Sequence, residues 1–250
     1  MKKYIVTAFA FLLLFTFASC ANETAVGETK TYEIASEIHS LNIQINAANF
    51  IIEHGDRFSV ESNLKYLSVS EHNGVLTIVE KQKKGVRYTD AALKLCIPDN
   101  VVFEEVDITT GAANLIADSL SANSVELKLG AGNVHFECLN ACSDADIKGG
   151  AGQITVASGT LNDLTLEMGA GKLDLRVTLL GDCDLKFGVG ESNLTLIGSK
   201  VDYKVDIEKG LGSISVDGKD IFDFDNSANG QNNIKVEGGI GAINIIFKAE

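Results

Sequence analysis

The sequence of 250 residues has no tryptophan, one proline, two methionines and only five tyrosines, and its 21 lysines and arginines are outnumbered by 34 acidic residues. Each shortage excludes something. Without tryptophan and with few tyrosines there is little aromatic surface on which sugar rings could stack, so glycan binding is not favoured over contact with protein. A net charge of -13 leaves no basic stripe to neutralise phosphates, which argues against nucleic acid and against anionic headgroups as partners. The four histidines, His39, His54, His72 and His135, are scattered without a zinc-ligand spacing or a neighbouring nucleophile motif and read as surface residues. After Ile5 to Phe17 no apolar run could span a bilayer. The single proline, Pro98, closes the stretch LKLCI and permits no further ladder donor there.

What is present begins with MKKYIVTAFAFLLLFTFASC: two lysines, an apolar run and small residues ahead of a cysteine, the layout of a secretory signal. This end resembles a bacterial lipoprotein signal, although Phe17 stands where such motifs usually carry leucine; the rival reading is an ordinary cleaved signal with an incidental cysteine. The resemblance implies that residues 1–19 are removed and that Cys20 is lipidated. A lipid on Cys20 would tether an otherwise soluble domain to the cell membrane or outer membrane, outside the cytoplasm. Residues 20–30 then read as the lipidated cysteine and a flexible tether.

The most informative feature is repetition. The stretches ITTGAANLIA, LKLGAGNVHF, IKGGAGQITV, LEMGAGKLDL, LKFGVGESNL, IEKGLGSISV and VEGGIGAINI carry first glycines at Gly111, Gly130, Gly150, Gly169, Gly188, Gly210 and Gly239, with second glycines at Gly132, Gly152, Gly171, Gly190, Gly212 and Gly241. From Gly111 to Gly210 the first glycines recur at a nearly fixed period of roughly 19–22 residues, and the last interval, from Gly210 to Gly239, is longer. Apolar residues fall at odd offsets before each glycine and even offsets after it, as with Val125, Leu127, Val134 and Phe136 around Gly130. The alternation of two is the signature of a strand, and its slip by one residue across GxG requires a corner or bulge. In the copy at Gly188 the residues Leu194 and Leu196 fall two positions late, after GESN, which reads as a local bulge or insertion.

One such unit cannot bury its apolar face alone, so the units are expected to stack as coils of an all-β, single-chain β-solenoid with about 19–22 residues per coil and GxG corners. Residues 31–110 carry weaker strands, LNIQI, NFIIEH, FSVES, VLTIVE and LKLCIP, with turns at His54 to Asp56 and Asn73-Gly74; they read as an N-terminal β region that caps the regular repeats of residues 111–250. Residues 217–233 are the longest interruption and read as a protruding loop.

The lipoprotein signal, the strands ending in IP and the GxG repeats together resemble the bacterial DUF4097-type family of β-strand-repeat domains, which carries the label putative adhesin. The resemblance implies a solenoid on the cell envelope and supplies no catalytic residues.

A recurring GxG argues for structure over ligand binding. A nucleotide-binding GxGxxG needs a third glycine and a following helix, and GAGNVH has neither. The calcium-binding nonapeptide pattern fails because Ile154 and Ile243 stand where its aspartate must be. The remaining metal candidates are Asp144, Asp163 and Asp182, each six residues before a corner glycine and so stackable. Solvated turn carboxylates are the plainer reading of these three, with weak Ca²⁺ binding as the rival. Cys142 and Cys183 align with apolar ladder positions and read as buried; Cys138 and Cys142 are close enough for a turn to bridge, but no specific disulfide is predicted. No metal, cofactor or catalytic set is therefore expected. The sequence points to a non-enzymatic adhesin-like or scaffolding protein with an envelope protein or polysaccharide as partner and self-association open. The alternatives are a carbohydrate-active enzyme on a solenoid or an accessory in envelope-stress sensing.

Overall fold

The computed structural model describes residues 23–81, 83, 85–221 and 229–249; the expected signal, Cys20 and part of the 217–233 loop lie outside them. In chain order the first strands are β1 (Val26–Glu33), β2 (Ser40–Ile45), β3 (Asn49–Gly55), β4 (Ser59–Leu64), β5 (Leu67–His72), β6 (Val75–Glu80), β7 (Ala92–Pro98) and β8 (Phe103–Thr110). The regular part follows with β9 (Asn114–Val156), β10 (Thr160–Asn162), β11 (Leu164–Leu180) and β12 (Asp182–Ile197), which run through the corners with little interruption. A 3-10 turn at Lys200–Asp202 leads to β13 (Tyr203–Glu208), β14 (Ser213–Val216), β15 (Lys219–Asp220), β16 (Asn232–Glu237) and β17 (Ile240–Lys248). All belong to one hydrogen-bonded sheet system wound on itself, an all-β solenoid.

Each coil has a strand before its GxG corner, a strand after it, and a third, shorter side. Parallel pairing sets the rise: Val106 faces Val125, Ala145 faces Leu164, and Leu166 faces Leu185, each partner one repeat further along the chain. The inward positions form ladders of buried Val, Ile and Leu, with Phe50, Phe103 and Phe136 as the largest fully enclosed side chains. Strands of this composition suit a core shared between coils, because each coil covers the apolar face of the next.

The corners are glycine because backbones meet there. A Cβ on Gly150 would stand 2.4 Å from the carbonyl oxygen of Gly130 in the neighbouring coil. One on Gly171 would stand 1.9 Å from the carbonyl oxygen of Gly152, and the Gly171 φ of 130° is a conformation that side chains rarely adopt. The corner of the β2/β3 coil carries Asn46 and Ala48 in place of two glycines, and there the connection after β6 leaves the stack as a loop. The buried Glu80 carboxylate instead accepts the Asn46 amide at 2.8 Å. Burial and the neighbouring Glu80 carboxylate push the pKa of the Tyr88 hydroxyl up to about 12.

The stacking order is not the chain order at either end. The β12 coil pairs with β16 and β17 (Val189 with Ile240, Leu194 with Ile245), and β17 pairs in turn with β14 (Ile214 with Ile243). The last coil in sequence is thus inserted between the two before it, and the corners succeed one another as Gly188, Gly239, Gly210. The longer intervals from Gly188 to Gly210 and from Gly210 to Gly239 therefore do not measure successive rises of the stack. At the other end β2 lies between β6 and β8, and β3 between β7 and β9, so the first coil is also second from the end. Antiparallel β5 covers β6, and β4 followed by β1 covers β7.

Three expectations are corrected. The copy at Gly188 holds no bulge: its register with β11 runs unbroken from Ala170 facing Val189 to Val177 facing Leu196. Ser192, only 5% exposed, simply occupies the inward place that Leu173 fills one coil earlier. Residues 25–30, expected within a flexible tether, are part of the fold: β1 begins at Val26 and Ala25 is buried. Cys142 is exposed, not buried. Leu161 faces Ala141 while Leu164 faces Ala145, which places the extra residue of the coil between Gly130 and Gly150 within Cys142 to Asp144. Cys183 is buried as expected, and all four described cysteines are free.

Gly171→Ala should cost about 3 kcal/mol and lower the Tm by roughly 6–12 °C. Gly85→Ala, where nothing lies within 4 Å, should cost about 1 kcal/mol for its positive φ alone; thermal melts compare the two. Ellman's reagent at pH 8 should modify Cys142 in the native protein. Cys183, whose thiol pKa burial pushes up to about 11, should react only on unfolding.

Candidate functional site

Because strands of successive coils lie in register, outward side chains also form rows about 4.8 Å apart. Before the corner, one row carries Asp107, Glu126, Asp146, Thr165 and Asp184, and the next carries Thr109, Lys128, Lys148, Glu167 and Lys186. Lys128 pairs with Glu126 at 2.5 Å and Lys148 with Asp146 at 2.6 Å along their own strands. These bonds hold both ammonium groups above their usual range. Beside this row an open groove of about 680 Å³ runs over five coils, lined by Thr109, Lys128, Lys148, Glu167, Lys186 and the corner glycines. Its charges are mixed in sign, and the row offers no continuous basic track.

After the corner, an outward ladder is joined by hydrogen bonds across coils. Asn193 donates to Asp174 at 2.9 Å, Asn244 to Asn193 at 2.9 Å, and Ser215 to Asn244 at 2.9 Å. Such bonds link one coil to the next on the surface as the apolar ladders do within.

The three aspartates singled out by spacing lie at the corner that precedes each pre-GxG strand, Asp144 and Asp163 immediately before the paired Ala145 and Leu164. Each carboxylate has a partner: Ser124 donates to Asp144 at 2.8 Å, the Asp182 amide to Asp163 at 2.8 Å, and Asn233 to Asp182 at 2.7 Å. Asp163 itself sits in the left-handed region at a φ of 43°. Among the described residues no group of three or more His, Cys, Asp or Glu comes together to hold a metal ion. The arrangement is that of carboxylates fixing a turn.

One constellation was not legible in the sequence. His54, at the end of β3, brings Nε2 to 2.7 Å from Ser119 Oγ on β9, while its Nδ1 lies 3.4 Å from Asp99 Oδ1. Nδ1 is buried and makes no hydrogen bond among the described residues. The His54 side chain is 28% exposed and that of Asp99 78% exposed, so the histidine is not the plain surface residue that its isolation in sequence suggested. His54 and Ser119 meet because β9 lies directly on β3 in the stack, with Asn49 facing Asn114. Asp99 joins them because the segment after Pro98 crosses the end of the β2/β3 coil to reach β8. That crossing leaves a cavity of about 360 Å³ lined by His54, Ile97, Asn100, Phe103, Ser119 and Leu120 among others. The signal available in sequence was parity: Phe50 and Ile52 are inward and His54 continues their alternation, as Ser119 continues Leu115 and Ala117.

The model of the family described as Toastrack DUF4097 matches residues 14–245. Among solved structures, a putative adhesin from Bacteroides fragilis superposes with a TM-score of 0.56 at 12% identity, covering 87% of this chain and 96% of that one. A putative adhesin from Parabacteroides distasonis gives a TM-score of 0.51 at 14% identity, over 90% and 99% of the two chains. At such identities the likeness concerns the fold. No curated protein sequence matches the chain. Among the described residues no helix is long and apolar enough to cross a membrane. With a family match that spans nearly all of its strands and corners, the chain belongs to the Toastrack DUF4097 family.

Proposed function

We propose that the protein is an extracytoplasmic, adhesin-like binding protein, lipid-anchored through Cys20, that holds an extended envelope partner along its stacked coils. The observation that carries this reading is the groove over five coils, with Lys128, Lys148, Glu167 and Lys186 repeating at the coil rise. A row of mixed charges at fixed pitch suits a partner that itself repeats or lies extended, either a polypeptide strand or an envelope polysaccharide. The names of the structural neighbours, both putative adhesins, support binding over turnover. The secretory layout and the cysteine that follows it support the address. The acidic balance of the chain, -13, supports a protein or neutral polymer over nucleic acid.

The test is cross-linking of the protein in intact envelopes, followed by mass spectrometry for proteins and glycan analysis for polymers. The triple variant Lys128→Gln, Lys148→Gln, Lys186→Gln should lower binding of the captured partner at least about tenfold while the protein still melts cooperatively, since it removes three positive charges from the row without stacking new carboxylates beside Glu126, Asp146 and Glu167. Equal capture by the triple variant and the native protein would overturn the groove reading. Cys20→Ala should release the protein from membranes into the soluble fraction; retention in the membrane fraction would overturn the anchor.

A further inference from the structure

The cavity at the end of β3 goes beyond a binding role. We propose that Ser119, His54 and Asp99 form a nucleophilic hydrolase site that cleaves short-chain carboxylic esters. Ser119 and His54 are within hydrogen-bond reach at 2.7 Å, the geometry a serine needs for its proton to leave as it attacks. The Asp99 carboxylate lies 3.4 Å from Nδ1, in position to orient the ring although no hydrogen bond joins them. Asp99 is a positioning residue, and its high exposure weakens its hold.

The setting matches the chemistry. Ser119 and His54 continue the inward alternation of their strands, and His54 stands in line with the buried Ile97, yet both open into a cavity of about 360 Å³. Ile97, Phe103 and Leu120 give that cavity apolar walls on which a short acyl chain fits. Asn100, at a φ of 63°, lines the same cavity.

In the first half-reaction Ser119 Oγ bonds to the carbonyl carbon as its proton passes to Nε2. The C–O bond to the alcohol then breaks, and the alcohol leaves with that proton. Water next adds to the acyl-serine, giving its proton to Nε2. Breaking of the Oγ–C bond returns the proton to Ser119 and releases the carboxylic acid. Ester and water are consumed, acid and alcohol are formed, and no other reactant is needed.

The experiment uses the soluble chain from residue 21 with p-nitrophenyl acetate and, separately, a fluorophosphonate that labels activated serines. Turnover above the buffer rate is expected, with Ser119→Ala and His54→Gln each lowering it at least about 100-fold. Asp99→Asn should lower it about tenfold, and Ser119→Cys should restore part of it. The fluorophosphonate should appear on the peptide that contains Ser119. Melting curves on each variant separate lost chemistry from lost fold. A native rate that survives Ser119→Ala in a folded protein, or label absent from the Ser119 peptide, would overturn the site and leave the hydrogen bond a structural one. Neither readout depends on the envelope partner, so the groove and this site stand or fall separately.

Discussion

The constraint on which the molecule depends is the approach of one backbone to another at the glycine corners. Where a Cβ would be, the carbonyl oxygen of the neighbouring coil already stands close by, 2.2 Å away at Gly130 beside Gly111 and 1.9 Å away at Gly212 beside Gly241. Removing the side chain lets the corners of successive coils follow one another closely enough for the ladder to continue through the turn, as where the Ala131 amide donates to Gly111 at 2.6 Å. The long strands β9, β11 and β12 owe their continuity to this. From it follow the common pitch, the inward apolar ladders and the outward rows, since all three require coils that neither tilt nor spread at the bend.

The sequence made much of this legible. Glycines at a nearly fixed period, with alternation that slips by one residue across them, define strand, corner and strand, and the inward residues around Gly130 are those that the alternation selects. What it could not show is which coil lies next to which. Hydrophobic parity is satisfied equally whether the coil at Gly188 is followed by that at Gly210 or by that at Gly239, because Ile214 and Ile243 are interchangeable to a ladder. The same blindness hid the meeting of His54 with Ser119, which are far apart in sequence and touch because the first coil is enclosed by later ones. Single-residue offsets misled locally: counting back from the glycine puts Cys142 in the core, while the real register places its extra residue at the aspartate corner and turns the thiol outward.

The GxG corner and the aspartate corner of a coil thus behave differently. The GxG corner tolerates no change in length because backbones touch there. The aspartate corner accommodates the variation, with side-chain carboxylates and amides completing the turn, as Asp163 does for the Asp182 amide. Length variation and polar chemistry gather where the backbone constraint is weakest, a division often seen between the rigid and variable parts of a repeat.

The insertion of β16 and β17 between β12 and the β13/β14 coil has a consequence for the order in which the molecule can be completed. During synthesis the segment that carries β13 and β14 emerges before the strands that must separate it from β12. It can settle in its final place only after β16 and β17 have arrived and laid themselves on β12. The far end of the solenoid is therefore completed out of chain order. A nascent chain stalled short of β16 carries a stack that ends at β12, with an unsatisfied edge waiting for β16 and β17.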